Sequence, residues 1–301
     1  MAPRSATWRR EDSRLIEDFL LAPFALGFMR RALAGCLALS VAGPPLGVFL
    51  VLRRMSLMSD VLQHGILPGI AIGAAVAGFS LIAMGLGGIA AGLVVALLAG
   101  WLSRVTGGRE DSQLAGIYLL ALALGVMIVS TQRSVDLAHL LFGNVLAVDD
   151  AALFAMAGVT TITLPVLAVI WRPLIMESID PHFLASLGGR GGIWHLAFMA
   201  LVVVCVVSGF VALGTLMSVG LMMLPAVAAR HVSVSLGGQV RAAVGLAVFS
   251  SYAGLLLSYH ADLPTGPAII LTAGAAWLLL ILAGPRDSLL QRVLHRPHFV
   301  R

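Results

Sequence analysis

Two apolar runs meet at residues 53–65, which read Arg53-Arg54-Met55-Ser56-Leu57-Met58-Ser59-Asp60-Val61-Leu62-Gln63-His64-Gly65. Asp60 is the only acidic residue between Asp18 and Glu110. Positions four apart share a helix face, so Asp60 and His64 point the same way. An ionisable residue at membrane depth costs roughly 2.5–3.5 kcal/mol. A chain that keeps one beside a metal-ligating imidazole is therefore expected to use it.

The composition indicates a membrane protein. Of the 301 residues, 59% are hydrophobic and 11% charged, and the mean hydropathy is +1.00, which is too apolar for a soluble domain. Repeated apolar runs of roughly 18 or more residues predict an all-α polytopic membrane protein with about 8–9 transmembrane helices. The predicted spans are 31–52, 56–79, 82–101, 113–131, 151–171, 193–211, 213–230, 240–259 and 267–283.

The sequence contains no lysine, so all 19 residues of the Lys+Arg count are arginines. A Walker A loop and Schiff-base catalysis are thereby excluded. Neither His-Glu-x-x-His nor Gly-x-Ser-x-Gly occurs. We therefore predict a chain that is not an enzyme, and any ATP hydrolysis must come from a partner. Arginines at loop ends, rather than nucleic-acid binding, account for the net charge of +5.

Arginine placement also predicts the orientation of the spans. Arginines follow the first, third, fifth, seventh and ninth predicted spans, and the positive-inside rule places these loops in the cytoplasm. Nine crossings with a cytoplasmic C-terminus then put the N-terminus outside, against the arginines of residues 1–18. We expect a polar or interfacial extension at 1–22, a transmembrane permease domain at 23–285 and a basic cytoplasmic tail at 286–301.

Prolines interrupt the first, second and seventh predicted spans, at Pro44-Pro45, Pro68 and Pro225. Proline removes a backbone hydrogen bond and kinks a helix. In a membrane, the freed carbonyls are tolerated only where protein or a water-filled path covers them. Broken helices beside Asp60 and His64 thus indicate a substrate pathway, with ordinary kinked helices as the alternative for each proline alone.

A carboxylate and an imidazole together suit Zn²⁺, Mn²⁺ or Fe²⁺. If Arg53-Arg54 marks the cytoplasmic face, a rise of 1.5 Å per residue places Asp60 about 9 Å deep and His64 about 15 Å deep. Two ligands are too few for a closed structural site, which usually has four. Such a pair fits an ion in transit, and a second copy of the chain would double it. The alternative is a buried hydrogen bond that holds two helices together.

His260 and Asp262 lie at the external end of the eighth predicted span. They could form an external site for the arriving cation. The alternative is a solvated loop whose proline and glycine residues set the turn.

Residues 177–189 form a predicted cytoplasmic loop that contains a short amphipathic helix. Asp180 is its N-cap, Pro181 its first position and Gly188 its stop. The residues that share its apolar face are Phe183, Leu184 and Leu187. Such a face suits either the membrane surface or the groove of a partner protein, and the sequence alone slightly favours the membrane.

The stretch from Arg53 to Ala71 resembles the hallmark of membrane permeases of zinc, manganese and iron ABC importers, which typically carry Gly-Asp-Ala-Leu-Ser-His-Ala at the equivalent place. The resemblance covers about residues 23 to 285. Further segments are similar to motifs of that family: Arg109–Ile117, Leu141–Leu146, Leu221–Arg230 and Asp262–Pro267.

The resemblance implies a fold like that of type II ABC importers, in the bacterial cytoplasmic membrane. It implies three partners: a cytoplasmic ABC ATPase, an extracytoplasmic metal-binding protein, and a second permease copy or paralogue. It also implies no permanently bound cofactor and Zn, Mn or Fe as the transported ion. Asp60 and His64 would line the metal path, and residues 180–189 would be the coupling helix that docks into the ATPase.

Two residues beside the pair depart from the family's pattern. Ser59 and Gln63 stand where Gly and Ser are commoner, and Gln63 could add an oxygen donor to the metal. The leading hypothesis is the permease subunit of an ATP-driven importer. A proton-coupled secondary metal-ion carrier, with Asp60 and His64 as the proton relay, is the first alternative. A membrane scaffold without transport is the second.

Overall fold

The computed structural model describes residues 19–78, 80–107, 110–131, 145–179, 191–286 and 288–294. All regular structure within these ranges is helical. Short 3-10 helices cover Ala22–Ala25 and Val145–Ala147. The α-helices are α1 Gly27–Leu52, α2 Met58–Gly65, α3 Leu67–Ala77, α4 Leu81–Thr106, α5 Glu110–Thr131, α6 Asp150–Ile179, α7 Gly191–Leu213, α8 Thr215–Ala229, α9 Leu236–Ala261, α10 Thr265–Ala283 and α11 Leu289–Leu294.

Each predicted span coincides with a helix. In the described part of the chain, 7 helices are long and apolar enough to cross a membrane, with α2 and α3 counted as the single segment Met58–Ala77. The apolar stretches Ala115–Ser130 in α5 and Thr215–Ala229 in α8 are shorter and match the fourth and seventh predicted spans. The predicted all-α polytopic fold with about 8–9 transmembrane helices is confirmed.

Helix α1 is the centre of the bundle. It packs against α6, α7, α8 and α9. Of its most apolar 18-residue stretch, 72% is buried inside the protein. The predicted break at Pro44-Pro45 is wrong, because α1 continues through both prolines. Close packing explains this continuity: Gly43 and Gly47 lie directly against Met222 of α8, so neighbouring protein covers the helix where proline removes its hydrogen bonds.

Helix α8 likewise continues through Pro225, so the predicted break in the seventh span is also wrong. The one predicted break that the structure contains is in the second span, where Ile66 separates α2 from α3. Pro68, in the first turn of α3, has no N–H with which to continue the helical ladder at His64. The interruption therefore lies next to the imidazole.

The turn at residues 53–57 changes the depth expected for Asp60. The depths of about 9 and 15 Å assumed a helix running continuously from Arg54. In the structure helical geometry begins again only at Met58, so those depths do not apply.

The start of α1 and the end of α9 lie at the same end of the bundle. The Tyr252 hydroxyl of α9 donates a hydrogen bond to the Leu20 carbonyl over 3.0 Å. The His260 ring stacks on the Phe19 ring with 3.9 Å between centroids. Arg53 is at the opposite end of α1. The predicted orientation, with the Arg53 end in the cytoplasm, would place residues 19–26 outside, and this orientation stays a prediction.

Helices α3 and α4 approach each other through glycine. A Cβ at Gly87 would meet the carbonyl oxygen of Gly69, and a Cβ at Gly69 would meet that of Gly87. Small residues allow such close approach in lipid, where helices associate through van der Waals packing. This contact fixes α3, and with it the interruption that follows α2.

We predict that Gly87→Ala destabilises the protein by about 1–3 kcal/mol, because the added methyl group meets backbone that cannot rotate away. The matched control is Gly85→Ala in the same helix, where nothing lies within 4 Å of the added Cβ. That control should gain up to about 1 kcal/mol from the better helix propensity of alanine. Thermal unfolding of both variants in detergent measures the difference, and equal midpoints would contradict the packing described.

Candidate metal site

The turn between α1 and α2 sends two adjacent arginines in opposite directions. Arg54 has φ 60°, the left-handed region that costs a residue with a Cβ about 1–2 kcal/mol. Its N–H donates to the Val51 carbonyl, and the N–H of Met55 donates to Leu50. This local geometry leaves the side chain of Arg53 92% buried, since its exposed fraction is 8%, while Arg54 is exposed.

Helix α2 brings Asp60 and His64 together as their spacing predicted. The His64 Nε2 atom lies 3.9 Å from the Asp60 Oδ1 atom. The Asp60 side chain is 60% exposed and that of His64 32% exposed in the single chain. The Tyr118 ring of α5 lies 6.3 Å from the imidazole, centroid to centroid. The pair is thus open on one side and walled by α5 on another.

Three side-chain polar atoms of α2 are buried without partners. Within the described residues, Ser59 Oγ, Gln63 Oε1 and His64 Nδ1 have no hydrogen-bond partner. Ser59 is 0% exposed and Gln63 5% exposed. A buried polar atom left unsatisfied costs about 1–3 kcal/mol. Asp60, Gln63 and His64 occupy positions i, i+3 and i+4 of α2, but Gln63 is buried whereas Asp60 is 60% exposed.

The other two predicted metal ligands, His260 and Asp262, lie away from α2. His260 Nε2 donates to the Phe19 carbonyl over 3.0 Å, and Asp262 caps α9 in a left-handed conformation. Both lie at the end of the bundle where α1 begins, opposite Arg53. Among the described residues no group of three or more His, Cys, Asp and Glu residues could hold a metal ion. A role of His260 and Asp262 as ligands stays a prediction.

The predicted coupling residues cannot be placed, because Asp180 to Gly188 fall outside the described residues. The helices on either side are described. Helix α6 ends at Ile179 and α7 begins at Gly191.

A polar cluster at these helix ends was not predicted from the sequence. We call it the Arg53 cluster, and it consists of Arg53, Glu177, Ser178 and His195. Arg53 Nη2 donates to Glu177 Oε2 over 2.7 Å and Nε donates to Ser178 Oγ over 3.0 Å. Arg53 Nη1 donates to His195 Nδ1 over 2.8 Å. A guanidinium can only donate, so this nitrogen of His195 is the acceptor.

Three buried or partly buried aromatic rings pack next to the Arg53 cluster. The guanidinium carbon lies 5.1 Å from the centroid of the Phe198 ring, a cation–π contact. Phe198 in turn packs edge-on against Phe49, which packs edge-on against Trp171. The only sequence signal for the cluster was the predicted topology, which puts these helix ends on one side of the membrane.

Residues 25–284 match the sequence profile of the "ABC 3 transport family". The "Manganese import system permease protein ScaB" of Streptococcus parasanguinis is 30% identical over 274 residues, covering 91% of this chain and 96% of that protein. The "Probable iron transport system membrane protein" of Haemophilus influenzae is 30% identical over 265 residues, covering 88% of this chain and 96% of that protein.

A solved structure has the same fold. The chain is similar to one of "PsaBC from Streptococcus pneumoniae in complex with Fab", with a TM-score of 0.81 and 26% sequence identity. The match covers 93% of this chain and 100% of that chain. The chain therefore belongs to the ABC 3 transport family, the metal-ion ABC importer permeases that residues 53–71 resemble.

Proposed function

We propose that this chain passes a divalent transition-metal ion from an extracytoplasmic metal-binding protein to the cytoplasm, driven by ATP hydrolysis in a partner ABC ATPase. The observation that carries the proposal is the Asp60–His64 pair beside the interruption between α2 and α3. The unpartnered oxygen of Gln63, the residue before His64, is a further candidate ligand in the same helix. The relatives named for manganese import and for iron transport support this class of cargo.

The donor set suits a cargo that must leave again. One carboxylate, one imidazole and one amide oxygen make an incomplete shell, whereas closed structural sites have four protein ligands. The exposed side of Asp60 leaves room for water or for donors from a second permease copy. We propose a homodimer, in which a second Asp60 and His64 would complete the shell during passage.

These donors can bind Mn²⁺, Fe²⁺ and Zn²⁺, and the relatives named for manganese and iron set the order in which the ions should be tested. Carboxylate and amide oxygens suit Mn²⁺, and imidazole suits Fe²⁺ as well as Zn²⁺. The two cysteines, which would favour zinc, are buried and free in α1 and α7 and are not part of the α2 face. We therefore propose Mn²⁺ as the first cargo to test, followed by Fe²⁺ and Zn²⁺.

Coupling to ATP is proposed through residues 180–189. The sequence has no lysine and therefore no P-loop, so we propose that a partner subunit hydrolyses the ATP. The apolar residues Phe183, Leu184 and Leu187 would enter a groove of that subunit, as in other helix-in-groove contacts. Family membership favours this arrangement over the proton-coupled carrier, in which Asp60 and His64 would relay protons instead.

Removal of either proposed ligand should stop transport. We predict that Asp60→Asn and His64→Ala each lower Mn²⁺ uptake by about 10- to 100-fold, the range seen when metal-site interactions are lost. Both variants should still assemble with the ATPase, since neither side chain is buried. Uptake into proteoliposomes of the purified complex, quantified by elemental analysis, measures the effect.

Asp150→Asn is the matched control for the loss of a carboxylate. Asp150 is 74% exposed at the external start of α6 and pairs with Arg31 over 3.7 Å, and such surface pairs contribute little. Its uptake should equal that of the unmodified complex. Normal uptake by both Asp60→Asn and His64→Ala would refute the site.

Gln63 is predicted to lower stability while it supports transport. In Gln63→Leu, the unpartnered oxygen is replaced by an apolar group of similar size, which should stabilise the fold by about 1–3 kcal/mol. The same change removes a donor, so uptake should fall by about 10-fold. Thermal unfolding and Mn²⁺ uptake of the same preparation give the two readings.

Thr163→Val controls for the stability effect alone. Its Oγ1 atom is also buried without a partner, in α6 away from α2. Thr163→Val should raise the unfolding midpoint and leave uptake unchanged. If Gln63→Leu behaves like Thr163→Val in both measurements, Gln63 has no part in metal passage.

A further inference from the structure

One side chain joins three helix ends at the cytoplasmic side of the bundle. Arg53 follows the last turn of α1, Glu177 and Ser178 lie in the last turn of α6, and His195 lies in the first turns of α7. Each of the three guanidinium nitrogens of Arg53 has its own partner among them, at 2.7–3.0 Å. The geometry is a fork that a single ammonium group could not reproduce.

In the sequence, the joined helix ends lie on either side of the proposed coupling segment. Helix α6 leads directly into residues 180–190 and α7 leads directly out of them. A displacement that moves the ends of α6 and α7 would act on Glu177, Ser178 and His195, which all contact Arg53.

Arg53 is also connected to the metal ligands through a short, hydrogen-bonded turn. The N–H of Met55 donates to Leu50 and that of Met58 donates to Met55, at 2.9 and 3.1 Å. The N–H of Val61 then donates to Leu57 over 3.0 Å, inside the helix that carries Asp60. Several backbone hydrogen bonds thus connect the end of α1, the turn and the start of α2.

From this geometry we infer that Arg53 is a positioning residue that couples movement of the α6 and α7 ends to α2 and its Asp60–His64 pair. The inference rests on the proposed function, because it assumes that the ATPase acts on residues 180–189. It assigns to Arg53 a role beyond fixing the orientation of the chain in the membrane. Arg54, exposed and adjacent, has none of these contacts in the described structure.

The test is the number of metal ions transported per ATP hydrolysed. In proteoliposomes holding the full complex with its binding protein, Arg53→Gln should lower that ratio by about fivefold or more, the range of a typical coupling between sites. ATP hydrolysis itself should persist. Arg54→Gln removes the same charge one residue away, and its ratio should stay within about twofold of the unmodified complex.

A paired variant separates coupling from folding. Arg53→Gln leaves Glu177 buried without its partner, which can impair folding by itself. Arg53→Met combined with Glu177→Leu removes both charges and is expected to fold, because apolar pairs of similar volume often replace buried ion pairs without loss. This paired variant should assemble normally and show the same drop in metal per ATP.

An unchanged ratio in the paired variant would overturn the inference, as would an equal drop in Arg54→Gln. Those results leave the proposed function intact if the unmodified complex transports Mn²⁺ with ATP and Asp60→Asn does not. If the unmodified complex shows no ATP-driven uptake, the proposed function itself fails. The two failures are therefore distinguished within one set of vesicles.

Discussion

The hydrocarbon interior of a bilayer offers no hydrogen-bond partners, so polar groups within it must be satisfied by the chain itself. This constraint makes the described fold helical and makes any unpartnered polar atom conspicuous. Three of the buried atoms without partners, Ser59 Oγ, Gln63 Oε1 and His64 Nδ1, belong to α2, which is 8 residues long. The free-energy cost of these unpartnered atoms therefore falls in the helix that carries Asp60 and His64, the proposed ligands of the transported metal.

Local patterns were sufficient for much of the fold and for the central pair. Apolar runs predicted every span, and the i, i+4 spacing predicted that Asp60 and His64 would meet. Local patterns failed at Pro44-Pro45, because close packing against Met222 keeps α1 continuous. They also missed the Arg53 cluster, whose partners are 124 and 142 positions away in sequence. The burial of Gln63 was equally unpredictable, since it depends on how α2 packs among its neighbours.

Helix α2 is bounded on both sides by an interruption of helical geometry. On its N-terminal side the turn from Arg53 ties it to the ends of α6 and α7, and on its C-terminal side Ile66 and Pro68 separate it from α3. In our account a short helix bounded in this way carries the ligands so that they can respond to the cytoplasmic side. The chain belongs to the ABC 3 transport family, and we propose that ATP hydrolysis by its partner subunit drives this response.

We propose above all that metal crosses the membrane through this chain under the control of a separate ATPase subunit. The most direct measurement compares Mn²⁺ accumulation in two sets of proteoliposomes. One contains the full complex with ATP, and the other contains this chain alone with a proton gradient. We predict that Mn²⁺ accumulates in the first set of proteoliposomes and does not accumulate in the second. Accumulation by the chain alone under the proton gradient would contradict it and support a proton-coupled carrier.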